Sequence, residues 1–287
     1  MQFWVIQTLN SVALGGLLFL LSSGFSLIFG LMRMPNLAHG AFFMLGAYLG
    51  VTAMTASGLT LWWGVLAGGI AVAVFGGFLE RFILRALAGN EQGQVLVTLG
   101  VSFIVADICL LTWGGDPVPI PAPLALRRPI FFEGLAFPTY RLVVLGLAVV
   151  VAVLLHLLIN RTRLGAMIRA GVDDMQMARG IGIPVSLLFT VVFCLGAALA
   201  GAGGVIGGPI MGAYPGLDAD MLPLALVVVI LGGVGSLLGA FVGSLIIGFI
   251  YNFGTALFPD LAYVILFLPM VLVLVFLPQG LFGRTLR

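Results

Sequence analysis

The chain has 287 residues, of which 62% are hydrophobic and 8% charged, and its formal net charge is +2. Soluble domains carry about a quarter of their residues charged, so a water-soluble fold is excluded. A balance so close to neutral also leaves no broad basic surface for a nucleic acid.

The expected fold class is an all-α polytopic membrane protein. Apolar stretches of about 18 or more residues recur from end to end, each long enough to cross a hydrocarbon core of about 30 Å as a helix. Their lengths and lack of alternation argue against barrel strands. In chain order they fall at 6–30, 37–56, 61–86, 92–113, 140–159, 185–207, 236–256 and 261–278, eight full crossings in one domain over residues 1–287. A further segment at 221–231 is too short for a full crossing and reads as a broken or half helix. Because the first positive charge is Arg33, the first run lacks the basic flank of a cleaved signal and is expected to stay as a membrane helix. Cys109 and Cys194 both lie within apolar runs and read as small core residues, not as a disulfide or a metal pair.

Arginine sets the expected orientation. Arg33, Arg81, Arg85, Arg161, Arg163, Arg169, Arg179, Arg284 and Arg287 fall on one side if the short segment also crosses, and Arg127, Arg128 and Arg141 on the other. Retention of positive loops inside makes the first group cytoplasmic, with the N-terminus outside and the C-terminus in the cytoplasm. All twelve cationic residues are arginine. Without lysine, a phosphate-cradling loop ending in Gly-Lys-Ser/Thr cannot form, so any ATP-driven step belongs to another chain.

The outer connection, 114–139, contains Pro117, Pro119, Pro121, Pro123, Pro129 and Pro138 and should be extended or turning. It is either a plain connector or a lip that meets something outside the membrane. Two apolar runs are interrupted. Met32 to Gly40 contains Pro35, which ends one helix, and Asn36, which suits the cap of the next. Gly207-Gly208-Pro209 leads through Tyr214-Pro215-Gly216 to Asp218 and Asp220, and the short segment that follows ends at Gly232-Gly233-Val234-Gly235. Irregular backbone at membrane depth is tolerated only where protein or a water-lined cavity satisfies it, so both breaks point to a pathway. The helices leading into them run in opposite directions, the pattern of an inverted repeat. Gly196, Ala200 and Gly204 share a helical face, as do Gly235, Gly239 and Gly243, and close helix packing is the expected use of both.

The long polar interruption at 160–184 must be an exposed cytoplasmic loop. Val172, Met175, Ala178 and Gly182 recur every three or four residues, one face of a short amphipathic helix. Asp173 and Asp174 suit its first turn and Arg179 its last. Gly165, Ile168, Arg169 and Ala170 make a second face. Such a helix either lies at the lipid interface or docks into a groove on a soluble partner.

The run Arg161-Thr162-Arg163-Leu164-Gly165-Ala166-Met167-Ile168-Arg169-Ala170, with Met177-Ala178-Arg179-Gly180-Ile181-Gly182-Ile183, resembles the coupling loop of ABC importer permeases for branched-chain amino acids, the LivH-like branch best. Residues 35–40 and 225–239 extend the resemblance over nearly the whole chain. It implies a bacterial inner-membrane subunit paired with a homologous second permease subunit, two cytoplasmic ATP-binding subunits and a periplasmic substrate-binding protein. ATP and magnesium would be bound by those partners, leaving this chain without cofactor or catalytic residue. Gly165, Arg169, Ala170, Ala178 and Gly182 would then receive the ATPase stroke. Where older importers begin that signature with Glu-Ala-Ala, this loop has Ile168-Arg169-Ala170.

Pathway candidates are few. His39 stands just inside a helix start, where free N–H groups suit a carboxylate, although a structural hydrogen bond explains it equally simply. Asn36 is a helix cap or a substrate contact, and Asp107 lines the pathway or is paired within the bundle. Asp218 and Asp220 cap the short helix or attract an amine. Gly232 and Gly233 should turn the chain, with carbonyls free to line the route. No metal cluster or catalytic pair is legible. A rival reading, a secondary transporter driven alone by an ion, would need Asp107 as its coupling acid.

Overall fold

The structure, a computed structural model, describes residues 2–33, 35–58, 60–132, 135–277 and 279–283. It is an all-α membrane bundle with one small hairpin. The helices are α1 (Gln2–Met32), α2 (His39–Ser57), α3 (Leu61–Phe82, continued by a 3-10 turn Leu84–Leu87), α4 (Glu91–Trp113), α5 (Thr139–Arg161), α6 (Arg163–Asp173), α7 (Met175–Gly180), α8 (Val185–Met211), α9 (Leu217–Gly232), α10 (Leu237–Leu257) and α11 (Ala262–Phe276). The hairpin pairs β1 (Pro129–Phe132) with β2 (Leu135–Pro138) antiparallel, Pro129 opposite Pro138.

Seven of these helices, α1 to α5, α8 and α10, are long and apolar enough to cross a membrane among the described residues. Eight were expected. The last run forms only the 15 residues of α11, about 22 Å at 1.5 Å per residue. Leu257 closes α10, a 3-10 turn at Pro259–Leu261 uses up the start of the run, and Leu277 leaves the helix at φ −137°. Leu277 precedes a proline in the sequence, which disfavours the helical region for it.

Helix α1 is the axis of the bundle. It is apolar all round, which suits a central helix, and from Leu17 to Ile28 every residue is buried. Glycines set how close its neighbours come. A Cβ on Gly15 would be 3.0 Å from the Leu245 backbone in α10, and one on Gly24 would be 2.5 Å from the carbonyl of Gly196 in α8. The small faces expected on α8 and α10 are therefore packing faces: Gly204 abuts the Phe43 carbonyl in α2, Gly239 meets Gly232, and Gly243 meets the Val228 carbonyl. Gly235 is the exception, a turn residue at φ +75° ahead of α10 that lies against Gly30. Helices α4 and α5 sit at the periphery, and α4 buries one face only, at Gln94, Thr98, Ser102, Val105 and Cys109.

The arginines divide between the two ends of the bundle. Arg33 donates to the Val172 carbonyl of α6 and Arg85 to the Ser186 carbonyl of α8, at the end that carries α6 and α7. Arg127, Arg128 and Arg141 lie at the hairpin end, where Thr139 Oγ1 donates to the Arg128 carbonyl and Arg141 to Asn10. Arg284 and Arg287 fall outside the described residues.

Candidate functional site

Both sequence breaks return the chain to the middle of the bundle. Beyond Met32, Arg33 turns with φ +56°, the one positive value at a non-glycine residue among those described. The chain then climbs back along α1 until His39 Nε2 lies 3.0 Å from the carbonyl of Leu21, eleven residues before the end of α1. That is a climb of about 16 Å, within reach of six extended residues at about 3.3 Å each. Leu37 N donates to Thr98 Oγ1 at 3.2 Å, which ties the climbing segment to α4.

At the second break, α8 ends at Met211 and residues 212–216 lead to α9, whose first turn holds Asp218. Ser102 Oγ donates to Asp218 Oδ2 at 3.3 Å, and Ser102 is the central residue of α4. A Cβ on Gly40 would be 2.5 Å from the Asp218 carbonyl. The N-termini of α2 and α9 therefore meet halfway through the layer that α1 and α4 cross, and the two helices leave this junction for opposite ends. Direction by direction, this is the opposed arrangement read from the sequence.

The electrostatics follow from the geometry. Each helix N-terminus carries about +0.5 of a charge, so two of them offset about one negative charge. Asp218 supplies it from α9's first turn, is 8% exposed, and makes no side-chain cap bond to its helix. Capping was the expected role for Asp218 and Asp220; Asp218 instead accepts from Ser102 Oγ of α4, in a first helical turn where a negative charge suits the dipole, while Asp220 accepts from Tyr214 Oη at 2.6 Å. Replacing Asp218 with Asn should lower thermal stability in detergent by about 1–2 kcal/mol, the range of a partly buried charge–dipole contact. Weakened substrate binding at unchanged stability would instead make Asp218 an amine ligand.

The remaining junction residues are buried. Asn36 is not the helix cap expected of it: Ala38 holds that position, and Asn36 Oδ1 accepts from Ala38 N at 3.1 Å in a turn just upstream. His39 packs edge-on against Phe25 and Phe42. Asn36 Nδ2 and His39 Nδ1 at the start of α2, and Ser22 Oγ and Ser26 Oγ within α1, are buried without a partner. Buried polar groups ordinarily find partners, and internal water is the usual one where protein supplies none.

Three expectations change here. Asp107 is exposed on the outward face of α4 beside Phe103, Ile104 and Leu111, away from the junction. The Gly232 and Gly233 carbonyls are not free: Phe282 N donates to the first at 3.0 Å and Ser236 N to the second at 3.1 Å. The proline-rich segment is neither a bare connector nor a free lip. Val118 and Ala213 exchange two backbone hydrogen bonds, 2.7 and 3.0 Å, and buried Ile120 packs on Gly208, so the segment covers the α8–α9 break. Among the described residues, no group of three His, Cys, Asp or Glu is placed to hold a metal ion.

The polar loop folds into two helices, not one. Thr162 caps α6 through Gly165 N at 3.1 Å, and Asp174 separates the helices by capping α7 through Gln176 N and Met177 N, both 2.9 Å. Helix α6 lies on the bundle: Gly165 touches the Ile159 carbonyl, Arg169 donates to that same oxygen, and Gly171 faces Leu31 and Leu188. The stripe expected to face a partner turns inward, with Ala178 buried and Val172 and Met175 half-buried; Ala170 is half-buried on α6, and Gly182 sits in the closing turn at φ +87°. What α7 and its following turn show outward is Met177 and Ile181, 65% and 68% exposed.

A group that the sequence reading passed over joins three segments near that end. Glu80 of α3, 1% exposed, pairs with Arg85 at 3.2 Å and accepts from Thr190 Oγ1 of α8 at 2.6 Å. The signal was an acid inside an apolar run, five residues before an arginine. Arg81 and Arg85 were weighed only as loop charges.

Residues 7–274 match the family model described as branched-chain amino acid transport system / permease component. The chain is 28% identical over 298 residues to the high-affinity branched-chain amino acid transport system permease protein LivH of Escherichia coli K12, covering 98% of this chain and 96% of the relative. It is 29% identical over 293 residues to BraD, a permease protein of the same description from Pseudomonas aeruginosa, covering 97% and 95%. A shorter match, 28% over 184 residues and 58% of the chain against 51% of the relative, is to the autoinducer 2 import permease protein LsrC of Salmonella paratyphi B. No solved structure matches. With nearly all of its length inside the family model, the chain belongs to the permease components of branched-chain amino acid transport systems.

Proposed function

We propose that the chain is a permease subunit of an ATP-driven importer in the bacterial cytoplasmic membrane, passing branched-chain or other hydrophobic amino acids inward beside a homologous second permease subunit. The observation that carries this reading is full-length similarity to LivH and BraD, joined to a mid-membrane junction of two broken helices. The junction offers only isolated unmet polar atoms such as His39 Nδ1 and Asn36 Nδ2, so cargo would bind weakly within the membrane and a periplasmic binding protein would select it. The match to LsrC, a permease protein of autoinducer 2 import, fits a membrane chain whose cargo is selected outside it.

The arginine-rich end, with α6 and α7, would face the cytoplasm. There α7 would dock on one of two ATP-binding subunits through Met177 and Ile181, with Arg179 beside them. ATP and magnesium belong to those subunits. A transporter working alone on an ion gradient would need ligands around its coupling acid, and Asp107 has none within this chain among the described residues.

The test is uptake of radiolabelled leucine by proteoliposomes. Accumulation should require both permeases, the ATPase subunits, ATP and the binding protein together. Accumulation by this chain alone without ATP would overturn the reading, and calorimetry on the binding protein would identify the cargo.

A further inference from the structure

We infer that Glu80, Arg85 and Thr190 form a clamp that makes α3 travel with α8 when the cytoplasmic helices are moved, so that Glu80 is a positioning residue for coupling. This inference rests on the ATP-driven reading above.

Four observations carry it. First, the clamp bridges separate elements through one nitrogen of Arg85, Nη2, while Arg85 Nε is buried without a partner. Arg85 Nη2 lies 3.3 and 3.2 Å from the two Glu80 oxygens, 2.6 Å from Thr190 Oγ1 and 2.7 Å from the Ser186 carbonyl, while Thr190 donates to Glu80 at 2.6 Å. Second, Glu80 is 1% exposed, so its charge has little access to water and depends on these partners.

Third, the clamp grips α8 where the cytoplasmic helices feed into it. Only residues 181–184 separate α7 from α8, and they are stiffened by hydrogen bonds from Ile181 N to Met177 O, Gly182 N to Arg179 O and Ile183 N to Ala178 O, 3.0 to 3.1 Å. Ser186 and Thr190 occupy the first two turns of α8, so displacement of α7 reaches the clamp through four braced residues. Fourth, α3 and α8 continue from the clamp to the crossing with α2. Gly76 packs on Ala197, Gly201 on Val72, and Gly68 so close to α2 that a Cβ on it would be 2.7 Å from the Gly46 carbonyl. Helix α6 takes its long-range side-chain hydrogen bonds from α1 and α5, through Arg33 and Arg169, and touches α8 through Gly171 at Leu188. Movement of the cytoplasmic pair would therefore work between an α1–α5 body and an α3–α8 body. The clamp decides whether α3 follows.

The experiment uses the complete transporter in proteoliposomes with radiolabelled leucine, comparing Glu80→Gln, Thr190→Val and the conservative Thr190→Ser. Leucine imported per ATP hydrolysed should fall about tenfold or more in Glu80→Gln and Thr190→Val, with ATP hydrolysis still stimulated by the binding protein. Thr190→Ser keeps the hydroxyl and should restore the ratio. A proportional fall of hydrolysis and uptake, tracking the amount of assembled complex, would reduce the clamp to a structural brace and overturn the inference, as would an unchanged ratio. If Glu80→Gln does not assemble, the Thr190 pair decides, since Thr190→Val exchanges only the hydroxyl for a methyl at a partly exposed site and Thr190→Ser keeps the hydroxyl. Failure of the unsubstituted complex to couple ATP to uptake would instead sink the functional reading, and that control is run first.

Discussion

Gly204→Leu should remove most of the protein from the membrane, lowering its level about fivefold or more. A Cβ at this position would land on the Phe43 carbonyl oxygen of α2, with Ala47 N of the same helix 3.1 Å away. Overpacked cores lose about 1–3 kcal/mol where side chains can give way. Here the obstacle is helix backbone, so the cost falls at or beyond the upper end of that range. Losses of even 1–2 kcal/mol change cellular abundance several-fold. The control is Gly146→Ala on the exposed face of α5, where a Cβ meets nothing within 4 Å and alanine is the better helix former. Immunoblots of membrane fractions and thermal unfolding in detergent would compare the two. Equal levels would show that the α2–α8 crossing is looser than its geometry requires.

That crossing also explains which parts of the architecture could be read in advance. Helix positions follow from local properties, so nearly every apolar run became a helix within a few residues of its expected ends. The glycine faces at 196–204 and 239–243 were legible for the same reason: small residues at helical spacing imply close neighbours. Depth in the membrane is not a local property. Nothing in Asn36 to Gly40 says that α2 starts beside Leu21, because that position is fixed by the length of α1 and by a hydrogen bond across eighteen residues. The meeting of Gly40 with Asp218 is likewise a tertiary event.

The direction in which residues face was the least legible property. Hydrophobic periodicity identified a stripe through Val172, Met175 and Ala178, yet periodicity cannot say whether an apolar stripe meets a partner or its own chain. Here it meets its own chain: Ile168 and Val172 pack in a small core with α1, α5 and α8, and Ala178 is buried. Asp107 shows the converse. Its place inside an apolar run suggested a pathway or a buried partner, but α4 buries the Thr98–Ser102–Cys109 face and turns Asp107 outward. Glu80 was missed because its partners, Arg85 and Thr190, lie on either side of more than a hundred residues of chain.

The inward stripe and the outward pair give separable results, and the double substitution Met177→Asp with Ile181→Asp should abolish leucine uptake while leaving the permease in the membrane at normal levels. Both side chains are mostly exposed and face away from the bundle. Removing them takes little from the fold, since the Asp174 cap and the Ile183 N to Ala178 O bond that hold α7 do not involve their side chains. Anchor residues at an interface are worth about 2 kcal/mol each. At about 1.4 kcal/mol per tenfold, the loss of two would weaken docking of an ATPase subunit by about a thousandfold if the effects add. Ala178→Arg should behave differently. It forces a charge into a 2% exposed position between α7 and α8, so it should reduce the amount of folded permease. Copurification of the ATPase subunits with each variant, normalised to permease in the membrane, checks both. If the double substitution retained its ATPase while Ala178→Arg folded normally and lost it, the partner would be reading the stripe that this structure turns inward, and α6 and α7 would have to rotate on docking.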